Sequence, residues 1–355
     1  MFVATRINMS GCDSPIFIIG TERSGTNLLR LILNAHSSIA VPHPPHIMKF
    51  FSPLEPLYGN LSIDANFRRL IADVCRMVEL HTYPWEIRPD RDQVFQNAVD
   101  RNLLAVYFQV YDQYLAYTKK RRWACKSTFM IEHVAEILRY HPDARFIFMV
   151  RDGRDVAVSA KTSIFNHFHV YYSARRWQRE QRLGLSWLAK LPPEQIMLLK
   201  YEELIVDPAA TTRRLCGFLG EAFEEGMLEY HRSSEAKKSG SLSISWENTA
   251  KPVMSGNAQK FRRFLTDEEI LLFELFACDE LLELGYPLTH SLDELKALPV
   301  DILQEKAGYK VTELRLKLKA EINHLLKDTN SVARLRKNLY MTSIHTLRRM
   351  TVPHV

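Results

Sequence analysis

No apolar run in this 355-residue chain approaches the ~20 residues that cross a bilayer as a helix. The first residues also lack the apolar core of a secretory leader. With both signals missing, a cytoplasmic protein without a membrane span is expected. Cysteine is scarce: Cys12, Cys75, Cys125, Cys216 and Cys278 are far apart and odd in number. There is no C-x-x-C pair and no Cys/His cluster, so no metal is expected, and free thiols in a reducing compartment are the simplest reading. Net charge is missing from most of the chain. The whole formal +6 lies in residues 301–355, where 11 Lys+Arg stand against 5 Asp+Glu, and the first 300 residues balance. Nucleic acid is therefore not an expected partner of the main body. What remains is ordinary: 46% hydrophobic and 25% charged residues, enough chain for one large α/β domain or two smaller ones.

One absence is more informative. The stretch "GTERSGTN" (20–27) follows "PIFII" and precedes the amphipathic "LLRLILNAHS". Strand, glycine-bounded loop and helix are the parts of a phosphate-binding P-loop. The spacing Gly20-x-x-x-x-Gly25 fits, yet Thr26 and Asn27 stand where a P-loop nucleotide hydrolase needs Lys and Ser/Thr. That lysine reaches the outer phosphates and the hydroxyl holds Mg²⁺. Without them, the backbone amides of Ser24, Gly25 and Thr26 still make an anion nest at a helix N-terminus. Arg23 adds a cation that can fork onto phosphate oxygens. The loop can hold a phosphate and is poorly equipped for metal-assisted phosphoryl transfer.

Further strand-like runs are "RFIFMVRD" (145–152), "EQIMLLKYEEL" (194–204) and, more weakly, "RRWACKST" (121–128). Each precedes a helical pattern. Thr26–Ala35 carries five apolar residues, Ile131–Tyr140 repeats at i, i+3, i+4, i+7, and Asp207-Pro208 reads as an N-cap opening a helix to about Leu219. The alternation predicts an α/β fold, a P-loop-like doubly wound parallel sheet flanked by helices, with ligands at the carboxyl ends of its strands. Residues 42–60 are proline-rich and read as a loop, and 64–119 as mainly helical and aromatic-rich. After Gly285-Tyr286-Pro287 the chain becomes a basic amphipathic helix with Leu314, Leu318, Ile322, Leu325 and Leu326 on one side. The division expected is a domain over 1–290 and a basic helical extension over 291–355. That extension can pack on the body, pair with another copy in a homo-oligomer, or lie on an acidic surface.

A second stretch, "RFIFMVRDGRDVAVS", ends a strand with Arg151 and reaches Ser159 two turns into the next helix. Together the two stretches resemble the sulfotransferases that use 3′-phosphoadenylyl sulfate (PAPS). In that family a basic-Ser-Gly-Thr-Thr/Ser loop holds the 5′-phosphosulfate; here it is Arg23-Ser24-Gly25-Thr26-Asn27, with Asn departing at the last place. The family's Arg-x-x-x-Asp-x-x-x-Ser motif holds the 3′-phosphate, and Arg151 to Ser159 keeps its spacing. The wording is closest to the tyrosylprotein branch and its bacterial relatives. "KPVMSGNAQKF" resembles that branch's C-terminal cofactor segment, so Lys251 and Lys260 are implied as cofactor contacts, with Ser245 and Tyr201 of "KYEEL". The resemblance covers roughly residues 14–290.

The resemblance implies sulfuryl transfer from PAPS to a hydroxyl or amine acceptor by in-line displacement, without a metal. Arg23 is suited to the leaving group and the sulfuryl oxygens, and Lys126 of "ACKST" aligns with a family lysine near the bridging oxygen. The branch's catalytic glutamate lies in the loop after the first helix, which here reads "VPHPPHIMK" with no carboxylate. His46 is the preferred substitute base, with His43 as the second candidate and Glu55 as an outside one, because imidazole titrates near working pH. His36 ends the first helix. The aromatics Phe165, Phe168, Tyr171, Tyr172 and Trp177 read as core more than as acceptor pocket. Two other readings stay open: a P-loop-like kinase or nucleotide hydrolase using Arg23 for lysine, and a non-catalytic nucleotide-binding module whose basic tail engages an acidic partner.

Overall fold

The computed structural model describes residues 13–161, 163, 168–242, 244–297, 306–327 and 330–351. Five strands, β1 (Ile16–Gly20), β2 (Ile39–Ala40), β3 (Arg122–Cys125), β4 (Arg145–Val150) and β5 (Ile196–Lys200), take the order β2-β3-β1-β4-β5. β1 pairs with β3, β2 with β3 and β4 with β5, all in parallel. This is the expected parallel sheet flanked by helices. β1 is buried throughout, as is β4 from Phe146 to Val150, which explains runs of Ile, Phe, Met and Val without alternation.

The chain forms two compact units. The first takes residues up to Phe17, His36–Arg145, and those from Val332 onward. Its core is aromatic: Trp85, Tyr107, Tyr111 and Trp123 meet ring to ring, and the Trp123 indole N–H donates to Asp112 at 2.9 Å. The expected helical stretch resolves into helices Asp64–Glu79, Arg91–Asn97 and Leu103–Thr118. The proline-rich stretch departs from a plain loop. Ile47–Phe51 is helical and Glu55–Tyr58 a 3₁₀ turn, because the prolines spare 47–51 and Pro56 suits a first turn. The helix expected from Ile131 starts at Val134, after a 3₁₀ turn over Thr128–His133.

The helix Ser331–Thr351 also belongs to this unit. Lys337, Tyr340, Ile344 and Arg348 lie three or four residues apart and so share one face. Ile344 is buried; Arg348 donates twice to the Asp73 carboxylate, at 3.1 and 2.6 Å, and the Tyr340 hydroxyl once, at 3.3 Å. Tyr58 donates to the same carboxylate at 2.8 Å.

The second unit takes Ile18–Ala35 and Phe146–Ser331. Its helices include Thr26–Asn34, Gly153–Lys161, Val170–Lys190 and Pro208–Leu219, the last capped by the Asp207 side chain on the Ala210 N–H. The run read as strand over 194–204 stops at Lys200, and Tyr201–Val206 is a helix that faces Glu202 and Glu203 into its own first turn. In the helix Lys306–Lys327, the Glu313 carboxylate accepts from the N–H groups of Phe168 and His169, and the Tyr309 ring meets those of His169 and Tyr171. Its residues Leu314, Leu318 and Ile322 are 50–59% exposed. Cys12, Phe165 and the side chains of Leu325 and Leu326 lie outside the described residues. Phe168 and Trp177 are buried, as core residues should be.

Candidate functional site

The loop after β1 is built by two glycines. At Gly20, φ is +131° and a Cβ would stand 2.2 Å from the Met149 carbonyl oxygen. At Gly25, the left-handed N-cap of the Thr26–Asn34 helix, a Cβ would stand 2.3 Å from the Tyr201 ring. Glycine is the residue that fits both. The Ser24 N–H turns back to Thr21 O at 3.3 Å, so the helix start presents the amides of Gly25, Thr26 and Asn27. Asn27, at the place where the sequence departs from the resemblance, accepts from Arg30 Nε at 2.9 Å. Arg30 is fully buried and also reaches Glu235 Oε1 at 2.6 Å and Ser239 Oγ at 2.8 Å. The departing side chain thus ties the loop's helix to the helix Ser234–Leu242.

Arg151 follows β4 directly and is 5% exposed. Its Nη1 donates to Arg23 O at 3.2 Å and its Nη2 to Asn257 O at 2.9 Å, with Asp155 Oδ2 at 3.4 Å. The guanidinium lies 4.4 Å from the Tyr201 ring centroid, and Asn257 Nδ2 donates to the Tyr201 hydroxyl at 2.5 Å. Arg23, itself at φ 74°, donates from Nε to Ser159 Oγ at 3.0 Å. The two predicted phosphate stretches therefore meet through Arg23. Burial, then the nearby Arg151 charge, push the Arg23 guanidinium down to about 10, against the pull of Glu22. A half-buried and a buried guanidinium crowded in this way are relieved by an anion.

The polar inventory fits a phosphate-bearing ligand. Ser24 Oγ, Asn27 Nδ2 and Arg151 Nε are buried and have no hydrogen-bond partner. Each such atom costs ~1–3 kcal/mol, a penalty that oxygens bound between them would remove. Lys251 Nζ donates to Asn248 Oδ1 at 3.1 Å, and its carbonyl accepts from Tyr230. Lys260 opens the turn Phe261–Phe264, and the Ser245 side chain lies outside the described residues. Sequence reading missed Asn257, whose only local signal is the Ser-Gly-Asn of a turn; Asp155, the acid of the Arg-x-x-x-Asp-x-x-x-Ser motif, takes the Phe261 N–H at 2.9 Å. Trp177 was missed as well; its indole donates to Arg151 O at 3.1 Å.

The other unit holds the base candidates. His46 sits at φ 59°, ψ 40°, and its Nδ1 is 2.9 Å from Ser127 Oγ. A non-glycine residue held there costs of order ~1 kcal/mol. Burial, followed by the charges of Lys126, Lys49, His81 and Lys337, holds its imidazole well below the usual range. That direction favours the neutral imidazole at physiological pH. His43 is buried in a ring stack, 5.0 Å from Tyr83 and 5.3 Å from His81, with its carbonyl accepting from Trp85. Lys126 follows β3, half-buried, and is the strongest of the charges on His46. Glu55 accepts from the Leu103 N–H at 2.8 Å and so caps a helix; His36 takes the Ser38 N–H at 3.0 Å.

Comparison with known proteins follows the same residues. A family model described as the sulfotransferase family matches residues 15–225. An uncharacterized protein of Aquifex aeolicus (strain VF5) is 27% identical over 70% of this chain and 30% of its own length. Protein-tyrosine sulfotransferase 2 of Gallus gallus is 22% identical over 65% of this chain and 57% of its own, so the chain spans under two thirds of these relatives. The sulfotransferase domain of the Synechococcus PCC 7002 olefin synthase shares the fold at a TM-score of 0.52, with 19% identity over 76% of this chain and 96% of that one. Its counterpart from the curacin biosynthetic pathway does so at 0.50, with 17% identity over 78% and 98%. Since the model's match takes in more than half of the 355 residues, the chain belongs to the sulfotransferase family.

Proposed function

We propose that the protein transfers a sulfuryl group from PAPS to a hydroxyl or amine acceptor. The observation that carries this reading is the convergence of Arg23, Arg151 and Ser159 on a lysine-free glycine loop whose Ser24 Oγ and Arg151 Nε are buried without partners. Arg151 and Ser159 would hold the 3′-phosphate; Ser24, Gly25, Thr26 and Asn27 would hold the 5′ side, with Tyr201, Ser245, Lys251 and Lys260 as further contacts. Bound there, the donor supplies a sulfuryl group on a phosphate leaving group. Arg23 and Lys126 would stabilise charge that develops on leaving. His46, kept neutral by its surroundings and oriented through Nδ1 by Ser127, would accept the acceptor's proton on Nε2, with His43 as the second candidate. The absence of a carboxylate in "VPHPPHIMK" separates this base from the one implied by the resemblance, and the protein-tyrosine acceptor in the relatives' names is not carried over.

The test is thermal stabilisation by adenosine 3′,5′-bisphosphate against ATP with Mg²⁺. A ligand at a hundredfold excess over its Kd raises stability by about 2.7 kcal/mol. A shift with the bisphosphate alone, abolished in Arg151→Ala, is expected. A shift only with ATP and Mg²⁺ would replace the reading with a phosphoryl-transfer one.

A further inference from the structure

We propose that the outward face of the helix Ser331–Thr351 is a docking surface for a bilayer carrying anionic headgroups. One face of this helix is fixed to its unit. Arg348 and Tyr340 donate to Asp73, Ile344 is buried, and Lys337 Nζ lies 4.8 Å from the Phe50 ring centroid. The opposite face is thereby held in solvent, and it is apolar. Val332, Leu335, Leu339, Leu347 and Met350, spaced by three, four, eight and three residues, fall on one helical stripe and are 51–79% exposed. Thr342, Ser343 and Thr346, exposed and uncharged, complete that face. At a rise of about 1.5 Å per residue, the stripe from Val332 to Met350 is about 27 Å long.

Charge selects the occupant. Residues 331–351 carry Arg334, Arg336, Lys337, Arg348 and Arg349, with no Asp or Glu. Arg336 and Arg349 are exposed and fall on opposite sides of the line through Val332, Leu339 and Met350. A second copy of the helix would set these arginines against their own kind, with no carboxylate to receive them. The helix Lys306–Lys327, with six Lys+Arg to two Glu, is no better matched. A nucleic acid would answer the charge and leave five apolar side chains in water. An anionic bilayer answers both: the stripe enters the headgroup boundary and the arginines meet lipid phosphates. Among the described residues no helix is long and apolar enough to cross a membrane, so this helix lies along the surface. The net charge of the chain is concentrated where such a contact needs it, since residues 1–300 balance.

The test is co-sedimentation of the full-length protein with vesicles of phosphatidylcholine and phosphatidylglycerol, with pure phosphatidylcholine as the neutral control. Binding to the anionic vesicles is expected to be at least about tenfold tighter than to the neutral ones, and to weaken as salt is raised. The double variant Arg336→Gln/Arg349→Gln should weaken it by about tenfold or more, and Leu335→Gln/Leu339→Gln should do the same. All four positions are exposed, so thermal melts of both variants should match the wild type. Equal binding to the two vesicle types overturns the proposal, as does a double variant that binds like the wild type. Failure to bind vesicles overturns it too. Where that failure comes with a dimer that Leu335→Gln/Leu339→Gln dissociates, the stripe is instead an interface between copies.

Discussion

Replacing Gly25 by alanine puts the loop geometry to a quantitative test. The residue sits at φ 84°, ψ 8°, where an alanine costs ~1–2 kcal/mol from its own Cβ. That Cβ would also stand 2.3 and 2.7 Å from two Tyr201 ring atoms and 3.0 Å from Met149 Cε. Methionine yields easily. Tyr201 does not, because its hydroxyl takes the Asn257 hydrogen bond at 2.5 Å and its face carries Arg151 at 4.4 Å. Displacing it forfeits those contacts, another ~1–2 kcal/mol. We expect a total of about 2–4 kcal/mol from chemical denaturation. In a Tyr201→Ala background only the backbone part remains, so the cycle should show a coupling of ~1–2 kcal/mol. A cost below about 0.5 kcal/mol, or the same cost in both backgrounds, would refute the account of why glycine is required.

Three further outcomes follow from buried groups. Arg30→Met should destabilise by about 2–4 kcal/mol in urea melts, by stranding Glu235 and Asn27, with Arg30→Lys recovering little because one ammonium cannot replace a three-way fork. His81 is buried and held down to about 3 against an unfolded value of 6.5, so between those limits only the unfolded state binds its proton, and stability falls as pH drops. His81→Gln should flatten the stability–pH slope in that window by up to ~1.4 kcal/mol per pH unit, read from denaturation midpoints across the range. Asp73→Asn should loosen the helix Ser331–Thr351, giving new cleavage within it under limited proteolysis while bisphosphate binding is unchanged.

The strand–glycine loop–helix was legible because its signals are local: a glycine at each end, an apolar strand before and an amphipathic helix after. The same holds for Asp207 as a cap. β3 was faint because Arg122 and Trp123 mask a short buried strand, and β2, two residues long, carries no periodicity at all. The reading of 194–204 as strand failed at Tyr201, where Glu202 and Glu203 in a first turn favour a helix start. Asn257 and Arg30 escaped because their partners are remote in sequence. The tail's inward face escaped for a different reason. Lysine, tyrosine and arginine define it around a lone buried Ile344, so it offers no hydrophobic periodicity, and the apolar pattern read in the extension is that of the preceding helix.

The Asp73 clamp has a bearing on how the chain is made. Its arginine lies 275 residues further along, so the contact waits for a segment synthesised long after Asp73. The unit assembled from Ile18–Ala35 and Phe146–Ser331 has all its residues once position 331 has been synthesised. The unit that houses His46 does not, although residues 36–145 emerge long before. Its aromatic core can form early, but its last helix docks only afterwards, a long-range closure of the kind that slows folding. A ribosome-bound intermediate stalled short of Val332 should therefore present Asp73 and Tyr58 without their cover.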